Sequence, residues 1–210
     1  MAIERPALPS MAHRAEFTDL PEEPRSWSAE GALASLLALV PLDDLPRTGW
    51  VLRGIEAPES IAGHVVGVAH VALAMAPQVR PTLDLGRVLA MALVHDAPEA
   101  ISGDLPLPAA RHLPPGAKET MEAGIARDLL GPLSTAAVDA YAEYIDQGTR
   151  EARFVKQCDR IQLGVRLVAY ERSGRRGLDE FWRGLAVDSE SEFPAADALL
   201  NALMAARAVV

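Results

Sequence analysis

Apolar side chains recur every three to four residues along most of the chain after residue 28, which is the spacing of one helix face. The clearest segment spans residues 60–76, with apolar positions at Ile61, Val65, Val68, Ala72 and Met75. Similar patterns predict further helices at residues 29–40, 85–94, 116–130, 134–145, 150–172 and 194–208. The segment 85–94 is apolar on every side, which predicts a fully buried central helix.

Prolines and glycines separate these segments. Pro41 ends the first helical pattern, so we expect a loop over residues 42–55, and several prolines and Gly103 predict turns over residues 98–108. Residues 1–28 contain prolines and show no period, which indicates a loose N-terminal extension before one domain at 29–210. No segment alternates in the manner of a strand. The pattern therefore predicts an all-α helical bundle.

Composition narrows the class of function. Half of the 210 residues are hydrophobic, so a real core can form, and a net charge of −9 argues against binding to nucleic-acid polymers. A small anion remains possible where a local cation offsets the overall charge. The single cysteine, Cys158, fits a reducing compartment. We see neither a stretch of about 20 uninterrupted apolar residues nor a signal peptide, and we expect a cytoplasmic protein with no membrane partner.

The dipeptide His95-Asp96 directly follows the apolar run. Polar groups at the end of a buried element must be paired, and a divalent metal would satisfy both side chains, although such dipeptides also occur by chance. His64 shares its predicted helix face with Ile61 and Val68, so it points into the core. The alternative for His64 is a core histidine bonded to a backbone carbonyl.

Asp159 lies on an apolar stripe of the long predicted helix, beside Val155 and Leu163. A buried carboxylate there needs an ion or several donors, and a salt bridge to another helix is the competing interpretation. Three predicted helices thus direct His64, His95, Asp96 and Asp159 inward. Two imidazoles and two carboxylates suit one divalent ion of Mn, Fe, Co, Ni or Zn, and leave coordination positions for water and substrate.

Two further carboxylates follow His95-Asp96. Glu99 lies three residues after Asp96 and projects on the same side if the helix persists, so it could orient or deprotonate a metal-bound water. Asp104 follows Gly103 in a tight turn and could donate a proton to a leaving alkoxide. A helix-end charge is the competing interpretation of Glu99, and an ordinary turn residue that of Asp104.

The pattern H…HD…D resembles the HD-domain metal-dependent phosphohydrolases. Three segments are similar to the 5′-deoxynucleotidase branch, which includes the HD domain-containing protein 2 group: RTGWVLRGIEAPESIAGH, AMALVHDAPEAISGDLP and EARFVKQCDRIQLGVRLVAYE. The resemblance covers roughly residues 30–184. It implies a helical bundle, a homodimer, and a cobalt- or manganese-responsive ion held by His64, His95, Asp96 and Asp159. It also implies removal of the 5′-phosphate of deoxynucleoside monophosphates, with Glu99 and Asp104 as catalytic acids whose individual roles stay open.

The same resemblance implies substrate contacts before His64. Trp50 matches a family tryptophan that abuts the sugar and could exclude a 2′-hydroxyl, although it could also simply anchor the loop. Arg47 and Arg53 are the candidates for binding phosphate. Some members carry the arginine directly before the tryptophan, where this chain has Gly49, so the choice between the two stays open, with Lys156 a third possibility.

Other activities within the same class remain as alternatives. Di-iron oxygenases with an HD domain need further histidines between His95-Asp96 and Asp159, and only His112 lies there, in a predicted loop. That absence disfavours oxygen chemistry. A non-catalytic regulatory module typically lacks a ligand or the following acid, and none is missing here. An HD-family phosphohydrolase of another nucleotide or phosphorylated metabolite remains the second hypothesis.

Overall fold

The computed structural model describes residues 27–186 and 191–207. The predicted extension at 1–28 therefore lies outside the described residues, except for Trp27 and Ser28. The α-helices in the described part of the chain are α1 (Ala29–Leu39), α2 (Thr48–Val51), α3 (Ile61–Met75), α4 (Leu85–Val94), α5 (Glu99–Ser102), α6 (Leu107–Ala110), α7 (Ala117–Leu130), α8 (Thr135–Asp146), α9 (Arg150–Arg172), α10 (Asp179–Ala186) and α11 (Pro194–Arg207). Across residues 27–186 and 191–207 no strand occurs, which confirms the all-α prediction.

Polar side chains start five of the longer helices. In each case a Ser, Thr or Asp side chain accepts a hydrogen bond from the backbone N–H three residues later, which satisfies one of the free donors of the first turn. The caps are Ser28 for α1, Ser60 for α3, Asp84 for α4, Ser134 for α8 and Thr149 for α9. These local signals explain why the predicted starts agree with the structure to within one or two residues.

The bundle is organised around α9, whose 23 residues extend for about 35 Å. Helix α3 packs against both α9 and α4, while α8 and α11 also lie on α9. By length and hydropathy alone the segment Ile61–Gln78 could also span a membrane. Its buried face, which includes Val68 and Ala72, instead joins the main hydrophobic core, as expected of a core helix.

Helix α4 is not fully buried, so that prediction is wrong. Val88, Met91 and Ala92 are buried, but Leu93 is 56% exposed and Leu85 is 39% exposed. A helix that is apolar all round carries no information about which face meets the core. Helices α3, α8 and α9 pack on one side of α4, and the described residues 27–186 and 191–207 leave Leu93 on the other side exposed.

Four short helices were not predicted from the sequence. Two of them, α5 and α6, lie in and just after residues 98–108, where turns were expected. The expected loop at 42–55 contains α2, and α10 occupies a segment for which no helix was expected. Helix α10 is amphipathic but only eight residues long, and it buries Trp182 and Leu185 against the core. Such short helices gain their stability from tertiary packing, which a local pattern does not reveal.

Candidate metal and phosphate site

Four side chains from three parts of the bundle meet at one point. His64 lies in the first turn of α3 and is fully buried, and His95 follows the last residue of α4. Asp96 comes directly after His95, and Asp159 projects from α9. Because α3 packs against both α4 and α9, these predicted ligands converge.

The ligand atoms of His64, His95 and Asp96 are close enough together to hold a single cation, and Asp159 lies beside His64. The Nε2 atoms of His64 and His95 are 3.3 Å apart, and Asp96 Oδ2 lies 3.5 Å from the first and 3.4 Å from the second. Asp159 Oδ1 is 3.3 Å from His64 Nε2. Two atoms bound to one metal at about 2.1 Å are about 3.0 Å apart at a right angle and about 3.4 Å apart at the tetrahedral angle.

The other ring nitrogens show why a cation belongs there. His95 Nδ1 lies 2.8 Å from the carbonyl oxygen of Ala92, which can only accept, so Nδ1 carries the proton. His64 Nδ1 lies 2.6 Å from Gln162 Oε1. In the neutral rings both Nε2 atoms are then acceptors that face each other and two carboxylates. Such a cluster of acceptors is unfavourable without a positive ion, so the donor set fits a divalent metal.

A cavity of about 200 Å³ opens beside these ligands. Its lining includes the side chains of Arg47, His95, Asp96, Glu99, Asp104, Lys118, Glu122, Tyr144, Lys156 and Asp159. Positively charged side chains and carboxylates therefore both line this polar cavity next to the candidate metal site. A phosphate group is small enough to enter it.

Glu99 has an unusual environment in this cavity. Glu99 is 8% exposed, and its Oε2 has no hydrogen-bond partner among the residues that the structure describes. Burial, with further contributions from Asp96 and Asp104, raises the pKa of Glu99 to about 9. A carboxyl group that lies unpaired at the wall of a polar cavity is suited to exchange a proton with a molecule bound there.

Asp104 also contacts the turn that carries Arg47. Its Oδ2 accepts a hydrogen bond from the Thr48 backbone N–H at 2.5 Å, and its backbone oxygen accepts one from the Thr48 hydroxyl at 2.9 Å. Helix α2 has no capping side chain of its own, so Asp104 caps it from a distant loop. This contact gives Asp104 a structural function in addition to its place in the cavity wall.

The structure separates the two candidate arginines. Arg47 lies in the cavity with Nη1 3.4 Å from Asp96 Oδ2. Burial alone would lower the pKa of Arg47, but the carboxylates of Asp96 and Asp159 outweigh it and raise that pKa further. Arg53 is not among the cavity-lining residues; it pairs with Glu180 of α10. Of the two arginines, Arg47 is therefore the one placed to meet a phosphate beside the metal ligands.

Trp50 does not line the cavity either. It is 1% exposed, donates from Nε1 to Glu59 Oε1 at 2.9 Å, and packs against Tyr170 and Phe181. Its position in this structure is that of the anchor for the turn between α2 and α3.

Several cavity residues were not predicted from the sequence. Lys118 of α7 and Tyr144 of α8 line the cavity, and Lys118 Nζ is 2.7 Å from Glu122 Oε1. Neither stands in a recognisable pattern, because each is a single polar residue on a helix with other polar residues. Lys156, noted earlier as a third phosphate candidate, lies 3.2 Å from Asp159 Oδ2. His112, in contrast, lies in an exposed turn away from the cavity lining.

Comparison with known proteins identifies the family. A model of the HD domain family matches residues 42–198. The 5′-deoxynucleotidase HDDC2 of Xenopus laevis is 34% identical over 166 residues, which cover 76% of this chain and 80% of that protein. Human 5′-deoxynucleotidase HDDC2 is 33% identical over 70% of this chain and 72% of its own length. The 5′-deoxynucleotidase hdd1 of Schizosaccharomyces pombe is 32% identical over 72% of this chain and 83% of its own.

Solved structures give the same answer for the fold. A crystal structure of a Pyrococcus horikoshii protein matches with a TM-score of 0.74 and 31% identity, covering 83% of this chain and 99% of that one. A Pyrococcus furiosus protein matches with a TM-score of 0.71 and 30% identity, over 82% and 99% of the two chains. With the family model spanning most of its length and the H…HD…D residues gathered at one point, the chain belongs to the HD domain family.

Proposed function

We propose that this protein is a metal-dependent 5′-deoxynucleotidase, which hydrolyses deoxynucleoside 5′-monophosphates to deoxynucleoside and phosphate. The observation that carries the proposal is the cluster of four acceptor side chains beside a polar cavity that also holds Arg47 and Glu99. The relatives named as 5′-deoxynucleotidases, which align with most of this chain, support the choice of substrate.

His64, His95, Asp96 and Asp159 would hold one divalent ion, which we propose to be manganese or cobalt. When bound, such an ion supplies Lewis-acid chemistry, because it polarises a phosphoryl oxygen and makes water more acidic. The remaining steps belong to side chains of this protein, and each follows from its position in the cavity.

Arg47 binds the phosphate, because its guanidinium lies in the cavity beside Asp96 and can donate two hydrogen bonds to phosphoryl oxygens. Glu99 is the candidate to accept the proton of the attacking water, because it has an unpaired oxygen at the cavity wall. A divalent ion at the neighbouring ligands would lower the raised pKa of Glu99 and so favour the carboxylate form that this role needs. Asp104 lies in the same wall and is the candidate proton donor to the departing 5′-oxygen. Its bond to Thr48 also keeps the Arg47 turn in place.

A substrate screen tests the proposal. Metal-free protein is loaded with manganese or cobalt, and phosphate release is measured from dAMP, dGMP, dCMP and dTMP and from their ribose counterparts. We expect release from the deoxynucleotides with a preference over ribonucleotides. Release from none of these compounds, but from other phosphate esters, would support the second hypothesis of another phosphorylated substrate. No release from any ester with either metal would contradict an enzymatic role.

We also propose a homodimer. Exposed apolar side chains lie on two neighbouring helices, with Val66 48% and Leu73 46% exposed on α3, and Leu93 56% exposed on α4. Burying about 800 Å² of such surface per subunit is typical of a stable interface. Light scattering should give twice the chain mass for the wild type and one chain mass for Leu93→Glu. The matched control is Leu107→Glu at another exposed leucine, which should stay dimeric.

The cellular compartment that we propose is the cytoplasm. A single cysteine that is buried, Cys158, is compatible with a reducing environment. Deoxynucleoside monophosphates are also charged metabolites that membranes retain. Fractionation of cells that produce the untagged protein should recover it with soluble cytoplasmic markers, and recovery with the membrane fraction would contradict the proposal.

A further inference from the structure

A chain of buried polar side chains leads from the turn at α2 to the metal ligand His64. Trp50 Nε1 donates to Glu59 Oε1 at 2.9 Å, and Gln162 Nε2 donates to Glu59 Oε2 at 2.8 Å. The other end of the Gln162 amide, Oε1, lies 2.6 Å from His64 Nδ1. All four residues are at most 6% exposed, so water does not substitute for these partners.

The orientation of the Gln162 amide follows from the chemistry of Glu59. A carboxylate only accepts hydrogen bonds, and Trp50 N–H can only donate to it. Arg166 adds a positive charge, with Nε 3.1 Å from Glu59 Oε2. The end of Gln162 that faces Glu59 must therefore be its NH₂ group, and its oxygen must face His64.

The same reasoning fixes the proton of the imidazole. Because Gln162 Oε1 can only accept, His64 Nδ1 must donate, and His64 Nε2 is left with a free lone pair. That lone pair points to the place where Nε2 of His95 and the two carboxylates converge. We propose that Glu59 and Gln162 are positioning residues that hold His64 in its metal-binding tautomer, an inference that rests on the metal site of the proposed function.

The surrounding backbone keeps this pair in place. The Glu59 carbonyl accepts the backbone N–H of Arg47 at 3.1 Å, and its own N–H donates to the Tyr170 hydroxyl at 2.9 Å. Glu59 thereby connects the phosphate-binding turn with the metal ligand. Gly67 of α3 makes room for Gln162, since a Cβ atom there would lie 2.8 Å from Gln162 Cγ.

The nearly isosteric substitution Glu59→Gln tests the proposal. Its new amide would place a donor opposite the Gln162 NH₂ group, so Gln162 should turn over and present NH₂ to His64. The proton of His64 then moves to Nε2, which is the metal-binding atom. We expect metal affinity, measured by competition with a chromogenic chelator, to fall by about 10- to 100-fold, the usual effect of losing such an outer partner.

The tautomer itself is measured without metal and without substrate. In metal-free wild-type protein, long-range ¹H–¹⁵N spectra should show a proton on His64 Nδ1. The Glu59→Gln variant should show protonation at Nε2. This measurement is independent of activity, so it separates a failure of the positioning proposal from a failure of the proposed function.

Two further variants complete the design. Glu171→Gln is the matched control, because Glu171 is also a buried glutamate on a tryptophan, 3.0 Å from Trp182 Nε1, but does not contact a ligand. It should change thermal stability and leave metal affinity unchanged. The double variant Glu59→Gln/Gln162→Glu restores a donor facing an acceptor, and it should recover most of the lost affinity.

Three results would overturn the proposal. One is a wild-type His64 without a proton on Nδ1, a measurement that needs no variant to fold. The second is a Glu59→Gln protein with an unchanged tautomer and a metal affinity within about twofold of the wild type. The third is an equal loss of affinity in Glu171→Gln, which would indicate a general effect of weakening the core.

Discussion

Arg47 and Arg53 form a natural pair for testing how the cavity binds phosphate. They lie six residues apart and are similarly exposed, at 22% and 30% of the side chain. Arg47 lines the cavity beside Asp96, whereas Arg53 pairs with Glu180 on the surface. Replacing each in turn with alanine removes the same group from two different environments.

The structure gives the expected size of each effect. Arg47→Ala removes a charged donor from the place where negative charge develops, and losing one such donor costs about 10²- to 10³-fold in kcat, or about 3–4 kcal/mol. Arg53→Ala removes a surface ion pair worth at most about 1 kcal/mol to stability. We expect its turnover to stay within about threefold of the wild type, since it contributes nothing to the cavity.

The assay is phosphate release from a deoxynucleoside monophosphate at saturating manganese, with the metal content of each variant measured in parallel. That measurement matters because Arg47 lies 3.4 Å from the ligand Asp96, so its loss could alter metal binding. Arg47→Lys serves as the intermediate case, because it keeps the charge without the fork of donors. A larger loss of turnover in Arg53→Ala than in Arg47→Ala, at equal metal content, would refute the assignment.

Three more predictions concern the acidic residues. Glu99→Gln should retain metal but lose most turnover. In metal-free protein the pKa of Glu99 is raised in the folded state, so Glu99 lowers the free energy of unfolding increasingly as pH rises from about 5 to about 9. Thermal unfolding should therefore show that the stability of Glu99→Gln relative to the wild type grows across that range. A stability difference that stays constant with pH would be inconsistent with a buried Glu99. Asp104→Ala should lower the free energy of unfolding by about 1 kcal/mol, because the hydrogen bond that caps Thr48 is lost, whereas Asp104→Asn should keep most of that stability. Both variants should lose activity. Equal denaturant midpoints for the two variants would argue against capping by Asp104. Chelation of the metal should lower the melting temperature of the wild type, and manganese at about 100 times its Kd should add about 2.7 kcal/mol to the free energy of unfolding. Asp159→Ala should lose most of this stabilisation by manganese. Full stabilisation of that variant would mean that Asp159 has only a structural function.

Helix starts were predictable because they depend on neighbouring residues. Ser60, Asp84 and Thr149 each cap the helix that follows, and the apolar period fixes which side of α3 faces inward. The inward direction of His64 was predictable for the same reason, since it lies one turn from Ile61 and Val68 on that face.

The prediction that α4 is buried on every side failed for a related reason. The apolar residues of α4 are distributed around the helix, and Arg87 is its single charged residue, so the sequence pattern indicates only weakly which side faces the core. The exposure of Leu93 is decided by where α3, α8 and α9 stand around the helix. The exposed side of α4 is then free for the homodimer contact that we propose.

The sequence by itself determined the helical class, the residues that cluster at the candidate metal site and the presence of Glu99 and Asp104 next to it. The helical class and the inward direction of His64 follow from local spacing, and Glu99 and Asp104 follow His95-Asp96 within nine residues. That His64 and Asp159, which are far apart in the chain, belong to the same site was implied by the resemblance to the H…HD…D pattern. Only the tertiary structure decided which arginine enters the cavity, that Trp50 lies buried outside it, and that Gln162 and Glu59 stand behind His64. The physical reason is that these contacts join residues up to 103 positions apart, and helix packing, not the chain's local pattern, sets which side chains meet.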